Sequence, residues 1–176
     1  SHVKLADQQL EILLKDCACE GIELPVRKIA RILDGSLPNL LLNDLENQWF
    51  FELKNILDSG KTPVLFTSRG EIHFASNASR MIFGLELANL MARLFKRILP
   101  DLGYVISKGG ITTQILLEKG LDVGMVHLKG QILPGLSMVW PETNDISKQI
   151  PIITFPGNLG SKETLLEAWK LMEKVD

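Results

Sequence analysis

The fold is indicated most clearly by the stretch Tyr104-Val105-Ile106-Ser107-Lys108-Gly109-Gly110-Ile111 and by the apolar residues that follow it at helical spacing up to Lys119. The opening residues form a short β-type run, and Gly120 stands where the following helix would end. The stretch therefore predicts a strand, a glycine turn and a helix in succession. A strand predicted over residues 123–128 follows at once, so the two strands would bracket the helix as in a βαβ unit, although this helix is shorter than the usual crossover.

A second junction of the same kind lies near the end of the sequence. A strand predicted over residues 152–155 runs into the turn Pro156-Gly157-Asn158-Leu159-Gly160, and a last helix is predicted over residues 161–174. A further strand, Val64-Leu65-Phe66, runs into Thr67-Ser68-Arg69-Gly70 and would deliver polar side chains to its carboxyl end. Open α/β sheets bind their ligands at that end of the strands.

Helices are predicted along most of the remaining sequence, at residues 6–19, 43–57 and 84–99 and between Pro25 and Gly35, with a short strand at residues 21–24. Because strands alternate with helices along the chain, the predicted fold is a three-layer α/β sandwich. It would have a mostly parallel, mixed central sheet and helices on both faces. We expect residues 1–176 to form one such domain.

The composition is that of a globular protein and narrows the classes of partner. The 176 residues are 45% hydrophobic and 23% charged, which excludes a disordered chain. With 19 basic against 21 acidic residues the net charge is −2, so nucleic acid is not an expected partner. No apolar run approaches the roughly 20 residues of a membrane-spanning helix, so no membrane partner is expected either.

The two cysteines, Cys17 and Cys19, are predicted to lie on different faces of the first helix, where they can neither bridge each other nor bind one metal ion. Free thiols fit a reducing compartment, and we expect a cytoplasmic protein. The sequence begins without Met and shows no secretion signal, so we expect an excised piece of a longer chain.

Both glycine turns could bind an anion, because a strand-to-helix junction exposes backbone N–H groups and the positive end of the helix dipole. In the first turn, Gly109 and Gly110 would let the chain approach a phosphate closely. Thr112 and Thr113 could donate hydroxyls and cap the helix. The alternative, that these glycines serve only the turn, stays open at this point.

Common catalytic and phosphate-binding motifs are absent from the sequence. Lys162 follows Gly157 by five residues, but it is flanked by Ser161 and Glu163 instead of the Gly and the Ser or Thr of a P-loop. No G-x-G-x-x-G follows a strand, which disfavours the common dinucleotide fold. The histidines are far apart and no G-x-S-x-G occurs, so a metal hydrolase or a serine hydrolase has little support.

Three motifs taken together resemble a known family. They are residues 107–112 (SKGGIT), residues 130–135 (GQILPG) and residues 155–160 (FPGNLG). In this order and at this spacing they are similar to the carboxyl-terminal nucleotide-binding domain of the four-carbon acid sugar kinases. Residues 1–10 and 67–69 are similar to segments of that domain as well, so the resemblance covers nearly the whole chain.

The resemblance implies an ATP-dependent kinase for sugar acids such as threonate and erythronate, in which an amino-terminal substrate domain precedes the nucleotide-binding domain. Only the second domain is present here, and little or no turnover is expected of it alone. ATP or ADP, with Mg²⁺, would be bound by this domain, and the sugar acid by the missing one. Whether copies associate into a homo-oligomer is left open, and the resemblance assigns no catalytic residue.

Carried over residue by residue, the resemblance assigns a set of positions to the nucleotide. They are Ser1 at the opening turn, Arg69 and Lys108 as cations, Gly109, Gly110, Ile111 and Thr112 at the phosphates, and Gly157 and Gly160 in the last turn. Many members carry an acidic residue in place of Ile111, and often a threonine in place of Ala6, so that carboxylate and that hydroxyl are missing here. These departures support an alternative, a non-catalytic ligand-binding or interaction module that keeps the fold.

Overall fold

The structure, a computed structural model, describes residues 4–35, 38–69 and 72–174, the side chains of residues 38 and 39 aside. Its helices are α1 (Lys4–Leu13), α2 (Val26–Leu33), α3 (Pro38–Asp58), α4 (Asn77–Ile98), α5 (Gly110–Ile115) and α6 (Thr164–Glu173). Its strands are β1 (Cys19–Leu24), β2 (Thr62–Thr67), β3 (Val105–Lys108), β4 (Val126–Leu133), β5 (Leu136–Pro141) and β6 (Ile152–Phe155). A π-helical turn, Leu116–Gly120, continues α5.

The strands form two sheets whose parallel members end at the same edge. β1 pairs with β2 in parallel, and the second sheet has the order β3-β6-β5-β4, with β3 parallel to β6 and β5 antiparallel to both of its neighbours. Thr62, at the start of β2, and Tyr104, just before β3, both hydrogen-bond to Glu173 of α6. The parallel strands therefore begin side by side, and we call the edge where they end the carboxyl edge.

Helices cover both faces of the two sheets. On one face, Leu24 of β1 packs with α2, α3 and α4, and Ile152 of β6 packs with α4 and the π-helical turn after α5. On the other face, Cys19 of β1 and Ile153 of β6 pack with α1 and α6. Because the same helix layers cover both sheets, the sheets together form one central layer. The predicted three-layer α/β sandwich with a mixed sheet is confirmed.

A slot separates β2 from β3, which make no ladder with each other. Its volume is about 700 Å³, and it runs from Gly60 and Asp101 at one end to Arg69 and Gly109 at the carboxyl edge. We call it the interstrand slot. It places a cavity in the middle of the central layer, where a continuous sheet would have a strand pair.

The predicted βαβ unit is wrong, because the strand after α5 does not return beside β3. β4 covers Val126–Leu133 instead of residues 123–128, and it turns through Gly135, with φ +81°, into β5, a strand that was not predicted. β4 is antiparallel and lies at the far end of the sheet, so the parallel neighbour of β3 is β6. A helix as short as α5 cannot span a parallel crossover.

Several helix boundaries also differ from the predicted ones. α3 and α4 begin at Pro38 and Asn77, earlier than the predicted 43 and 84, and the Ser76 hydroxyl caps α4 by accepting from the Ser79 N–H at 3.1 Å. α1 ends at Leu13, so the cysteines do not lie on a helix: Cys17 is exposed in a turn and Cys19 is buried at the start of β1. Within the described ranges no helix has the length and apolar character needed to cross a bilayer.

Candidate functional site

The turn between β3 and α5 depends on a glycine with a positive φ angle. Gly109 has φ +103°, which an L side chain rarely adopts, and its N–H donates to the Phe155 carbonyl at 2.9 Å. The Thr113 hydroxyl, predicted to serve a ligand, instead lies 2.8 Å from the Ser107 hydroxyl and 2.8 Å from the Gly109 carbonyl oxygen. Thr113 therefore fixes the turn from inside, whereas Thr112 lines the interstrand slot.

Lys108 joins the two glycine turns and carries a charge close to both. Its Nζ donates to the Gly157 carbonyl at 3.0 Å and lies 4.1 Å from the centroid of the Phe155 ring. Burial lowers the pKa of Lys108 from 10.5 to about 8, and no carboxylate contributes to the shift. The ammonium is thus held by carbonyl oxygens and an aromatic ring, which leaves its charge for an incoming anion.

Arg69, the other nominated cation, is already paired. Its Nη2 lies 2.7 Å from Oδ1 of Asp7, on the first turns of α1. This ion pair brings α1 to the carboxyl edge and shares the charge of Arg69 with a carboxylate. Asp7 was not among the predicted site residues, and nothing in its sequence neighbourhood indicates that it meets Arg69.

The last glycine turn is fixed by Gln9, a residue that was not predicted to matter. Gln9 is fully buried, and its Nε2 donates to the Leu159 carbonyl at 3.0 Å and to the Ser161 carbonyl at 2.7 Å. Its signal in the sequence is a polar residue on the buried face of α1, four residues before the buried Leu13. A buried amide of this kind needs partners, and its nitrogen finds them in the backbone of the turn, whereas its Oε1 is buried with no hydrogen-bond partner among the described residues.

Most of the nominated residues meet at one place. Arg69, Lys108, Gly109, Thr112 and Gly157 all line the interstrand slot at its carboxyl end. They come from the ends of three parallel strands, β2, β3 and β6, and from the first turn of α5. The structure therefore brings together the two glycine turns and both cations that the sequence analysis nominated.

The other nominated residues do not line the slot. Gly110 and Ile111 begin α5 outside it, and the Ile111 side chain is 65% exposed. Gly160 has φ +82°, and a Cβ there would collide with the side chain of Thr164, so backbone conformation and packing account for this glycine. Ser1 lies outside the described residues.

The carboxyl end of the slot suits a phosphate better than a resident metal ion. Mg²⁺ is usually held by one or two carboxylates together with substrate phosphates. The carboxylate that the described residues place there is Asp7, which is paired with Arg69, and they contain no cluster of potential metal ligands. The described residues therefore offer no site for a resident Mg²⁺ at this end of the slot.

Residues 1–165 match a protein family described as the nucleotide-binding C-terminal domain. Comparison with curated proteins gives no match.

Solved structures with a similar fold come from proteins more than twice as long. A DUF1537 protein from Bordetella bronchiseptica, described as a domain-swapped dimer with bound citrate, matches with a TM-score of 0.69 and 17% identity, over 99% of this chain and 39% of that one. A DUF1537 protein from Haemophilus influenzae matches with a TM-score of 0.63 and 16% identity, over 96% of this chain and 38% of that one. At such identities the likeness shows the fold alone.

A Salmonella typhimurium LT2 protein with a provisional tRNA synthase name matches with a TM-score of 0.58 and 17% identity, over 97% of this chain and 39% of that one. The chain thus spans about two fifths of the length of these relatives.

Proposed function

Because the chain belongs to the family of nucleotide-binding C-terminal domains, as its resemblance to the nucleotide domain of the four-carbon acid sugar kinases predicted, we propose that it binds ATP or ADP. The nucleotide would lie at the carboxyl end of the interstrand slot, with its phosphates at the turn of Gly109 to Thr112. The proposal is supported most directly by Lys108, whose ammonium bridges the two glycine turns and has no carboxylate partner among the described residues.

The phosphates would be held by several weak donors rather than by one motif. Lys108 supplies a positive charge in a partly desolvated position, where an ion pair is stronger than in water. The backbone N–H groups at the start of α5 supply donors that the helix does not use itself. The Thr112 hydroxyl adds one more polar group at the slot lining.

We propose further that the domain is the nucleotide-binding half of a kinase that phosphorylates a four-carbon sugar acid of the threonate or erythronate type, in the cytoplasm. Phosphoryl transfer depends mostly on positioning and on neutralising charge, which is the chemistry that Lys108 and the glycine turns offer. The acceptor acid, and any base that deprotonates it, would belong to a domain outside this chain. We therefore expect the chain alone to bind nucleotide but not to turn it over.

Titration calorimetry with ATP and Mg²⁺ tests the nucleotide proposal. We expect heat of binding in the native protein and at least a tenfold weaker affinity in Gly110→Asp, because the new carboxylate would stand at the phosphates. A Cβ at Gly110 meets nothing within 4 Å, so the variant is expected to fold. Gly124→Asp is the matched control, since Gly124 is equally open and lies away from the slot.

Two results would contradict the proposal. One is the absence of both heat and thermal stabilisation at millimolar ATP. The other is an equal loss of ATP affinity in Gly110→Asp and Gly124→Asp. That result would mean that the added negative charge weakens binding wherever it lies, and not because it stands at the turn.

One observation favours the alternative of a non-catalytic module for another phosphorylated ligand. Ile111, which replaces an acidic residue of many relatives in the resemblance, is 65% exposed beside the turn and offers no ligand to a metal-bound triphosphate. A tighter affinity for a sugar phosphate than for ATP, measured by competition, would favour this alternative over the kinase.

A further inference from the structure

The edges of β2 and β3 that face the interstrand slot carry peptide groups that pair with no strand in the described part of the chain. In β2, the N–H groups of Thr62 and of Ser68, just beyond the strand, donate toward β1. Because the peptide groups of successive residues in a strand point to opposite edges, those of Leu65 and Thr67 face the slot. Pro63 faces it as well, where its missing N–H costs no ladder bond.

Among the described residues, β3, which forms the opposite wall of the slot, also directs unpaired peptide groups into it. The N–H groups of Val105 and of Gly109 both donate to the β6 side, to Pro151 and to Phe155. By the same alternation, the peptide groups of Ile106 and Lys108 face the slot. The two walls therefore offer both N–H donors and carbonyl acceptors in the plane of the sheet.

The floor and roof of the slot are apolar. Ala88 and Met91 of α4 lie on one face, and Leu10 of α1 and Trp169 of α6 lie on the other. These side chains are positioned above and below the plane in which the strand edges lie, because the helix layers cover opposite faces of the sheets. A cavity with apolar faces and a hydrogen-bonding rim matches a flat heteroaromatic ring.

The slot is continuous with the proposed phosphate position. Lys108, Gly109 and Thr112 belong to its lining, so a ligand with its phosphates at this turn has the slot directly beneath it. The volume of about 700 Å³ is that of a small-molecule site. We propose that the interstrand slot receives the purine base of the nucleotide, with its edge hydrogen-bonded to the peptide groups of β2 and β3 and its faces against α4 and Trp169. This inference rests on the proposed nucleotide function.

A strand from a second copy of the chain is the other occupant that the strand edges could accept. The base is favoured because cations and a glycine turn lie at the open end of the slot, whereas a strand would need no charge there. A second strand would also pair along the whole length of β2, including Pro63, which has no N–H to donate.

A comparison of ATP with inorganic tripolyphosphate separates the base from the phosphates. Ala88→Leu would extend an apolar side chain into the slot, and Ala78→Leu, on the exposed start of α4 outside the slot, is the matched control. We expect Ala88→Leu to weaken ATP at least tenfold and to change the affinity for tripolyphosphate less than twofold, whereas Ala78→Leu changes neither. Because the added side chain enters empty space, Ala88→Leu is expected to keep or raise the Tm of the free protein.

Trp169 gives a second readout, which is recorded first in the native protein and then in Trp169→Phe. Stacking of a base near its indole should quench the tryptophan emission on addition of ATP but not of tripolyphosphate. The quench should disappear in Trp169→Phe, while the emission of Trp49 and Trp140, which do not line the slot, remains.

The outcomes are distinct. If tripolyphosphate and ATP bind equally well and Ala88→Leu affects neither, the base does not enter the slot, although the nucleotide function stands. If neither ligand binds, the nucleotide function fails and the inference fails with it. If Ala88→Leu instead abolishes a dimer seen in sedimentation and leaves ATP binding unchanged, the slot receives a strand and the inference is overturned.

Discussion

Lys108 carries its ammonium in a partly buried position, whereas most lysines keep this group in water. Partial burial lowers the pKa of Lys108 to about 8, because the charged form loses hydration. The contacts of its ammonium are the Pro156 and Gly157 carbonyls and the face of the Phe155 ring. An anion bound at the turn would stabilise the charged form of Lys108, which burial destabilises. Ligand binding and protonation of this side chain are therefore coupled.

We predict that nucleotide affinity falls as the pH rises through about 8. The folded protein without ligand loses the Lys108 proton near that pH, and the neutral amine no longer attracts a phosphate. Lys108→Met should weaken binding about 10- to 100-fold at pH 7, the worth of a charge-assisted hydrogen bond of about 1.5–3 kcal/mol, and should remove the pH dependence between pH 7 and 9. Calorimetric titrations over this range measure both effects.

Lys129→Met is the control for that experiment, because Lys129 is an exposed lysine of β4 away from the slot. A native protein whose affinity stays constant from pH 7 to 9 would show that Lys108 does not contact the ligand.

Gly109 and Gly110 are adjacent, and we predict that they respond to alanine in opposite ways. Gly109→Ala should destabilise the fold by about 1–3 kcal/mol, because its φ of +103° strains any residue with a Cβ. Gly110→Ala should be neutral or stabilise by up to about 1 kcal/mol, since the position is helical and its Cβ meets nothing within 4 Å. Urea unfolding of the two variants checks the contrast, and equal midpoints would contradict it.

At the scale of elements, α1 is tied to the last glycine turn by one buried amide. We predict that Gln9→Met destabilises the protein by about 1–3 kcal/mol, because the Leu159 and Ser161 carbonyls lose a buried donor. The same variant should weaken nucleotide binding, since the turn that contains Gly157 loses its fixed position. Gln114→Met, at an exposed position of α5, is the matched control and should change neither the urea midpoint nor the affinity.

Elements with a strong local signal could be predicted from the sequence. Glycine turns end β3 and β6 as expected, and the positions of these turns follow from the apolar runs before them. The pairing of the strands could not be predicted in the same way. β5 was missed because Leu136–Pro141 alternates weakly and lies behind a Pro-Gly pair that also fits a loop, and without β5 the antiparallel position of β4 has no explanation.

In the candidate site, too, the residues with a local sequence signal could be predicted and those that act through distant contacts could not. Lys108 and the glycines were nominated because they lie inside a motif, whereas Asp7 and Gln9 act from α1 across a long separation in sequence. Their role depends on which carbonyl or guanidinium the fold brings to them. A buried polar residue on an apolar helix face is the signal that could have singled out Gln9.

At the scale of the whole molecule, we predict a loss of stability in alkaline solution. Burial raises the pKa of the Cys19 thiol from 9.0 to about 12, and burial together with the Glu173 carboxylate raises the pKa of Tyr104. Both groups keep their protons longer in the folded chain than in the unfolded one. The stability they contribute is therefore full below pH 9 and is lost as the pH rises through the folded pKa.

Lys108 acts in the opposite direction, because its lowered pKa makes folding more favourable between about pH 8 and 10.5. The raised pKa values of Cys19 and Tyr104 together outweigh the lowered pKa of Lys108. The urea midpoint should therefore fall between pH 9 and 11. Cys19→Ala should make that fall shallower, and the control Cys17→Ala should leave its slope unchanged. A midpoint that rises steadily to pH 11 would contradict the assignment.

The placement of the two thiols has a practical consequence. Cys19 is buried with a high pKa and is expected to resist alkylation at neutral pH, whereas Cys17 is exposed in the turn before β1. That turn lies at the edge opposite the glycine turns, because β1 runs from it toward the carboxyl edge. A maleimide linker on Cys17 would anchor every molecule on a sensor chip in one orientation, with the mouth of the cavity toward the flowing analyte.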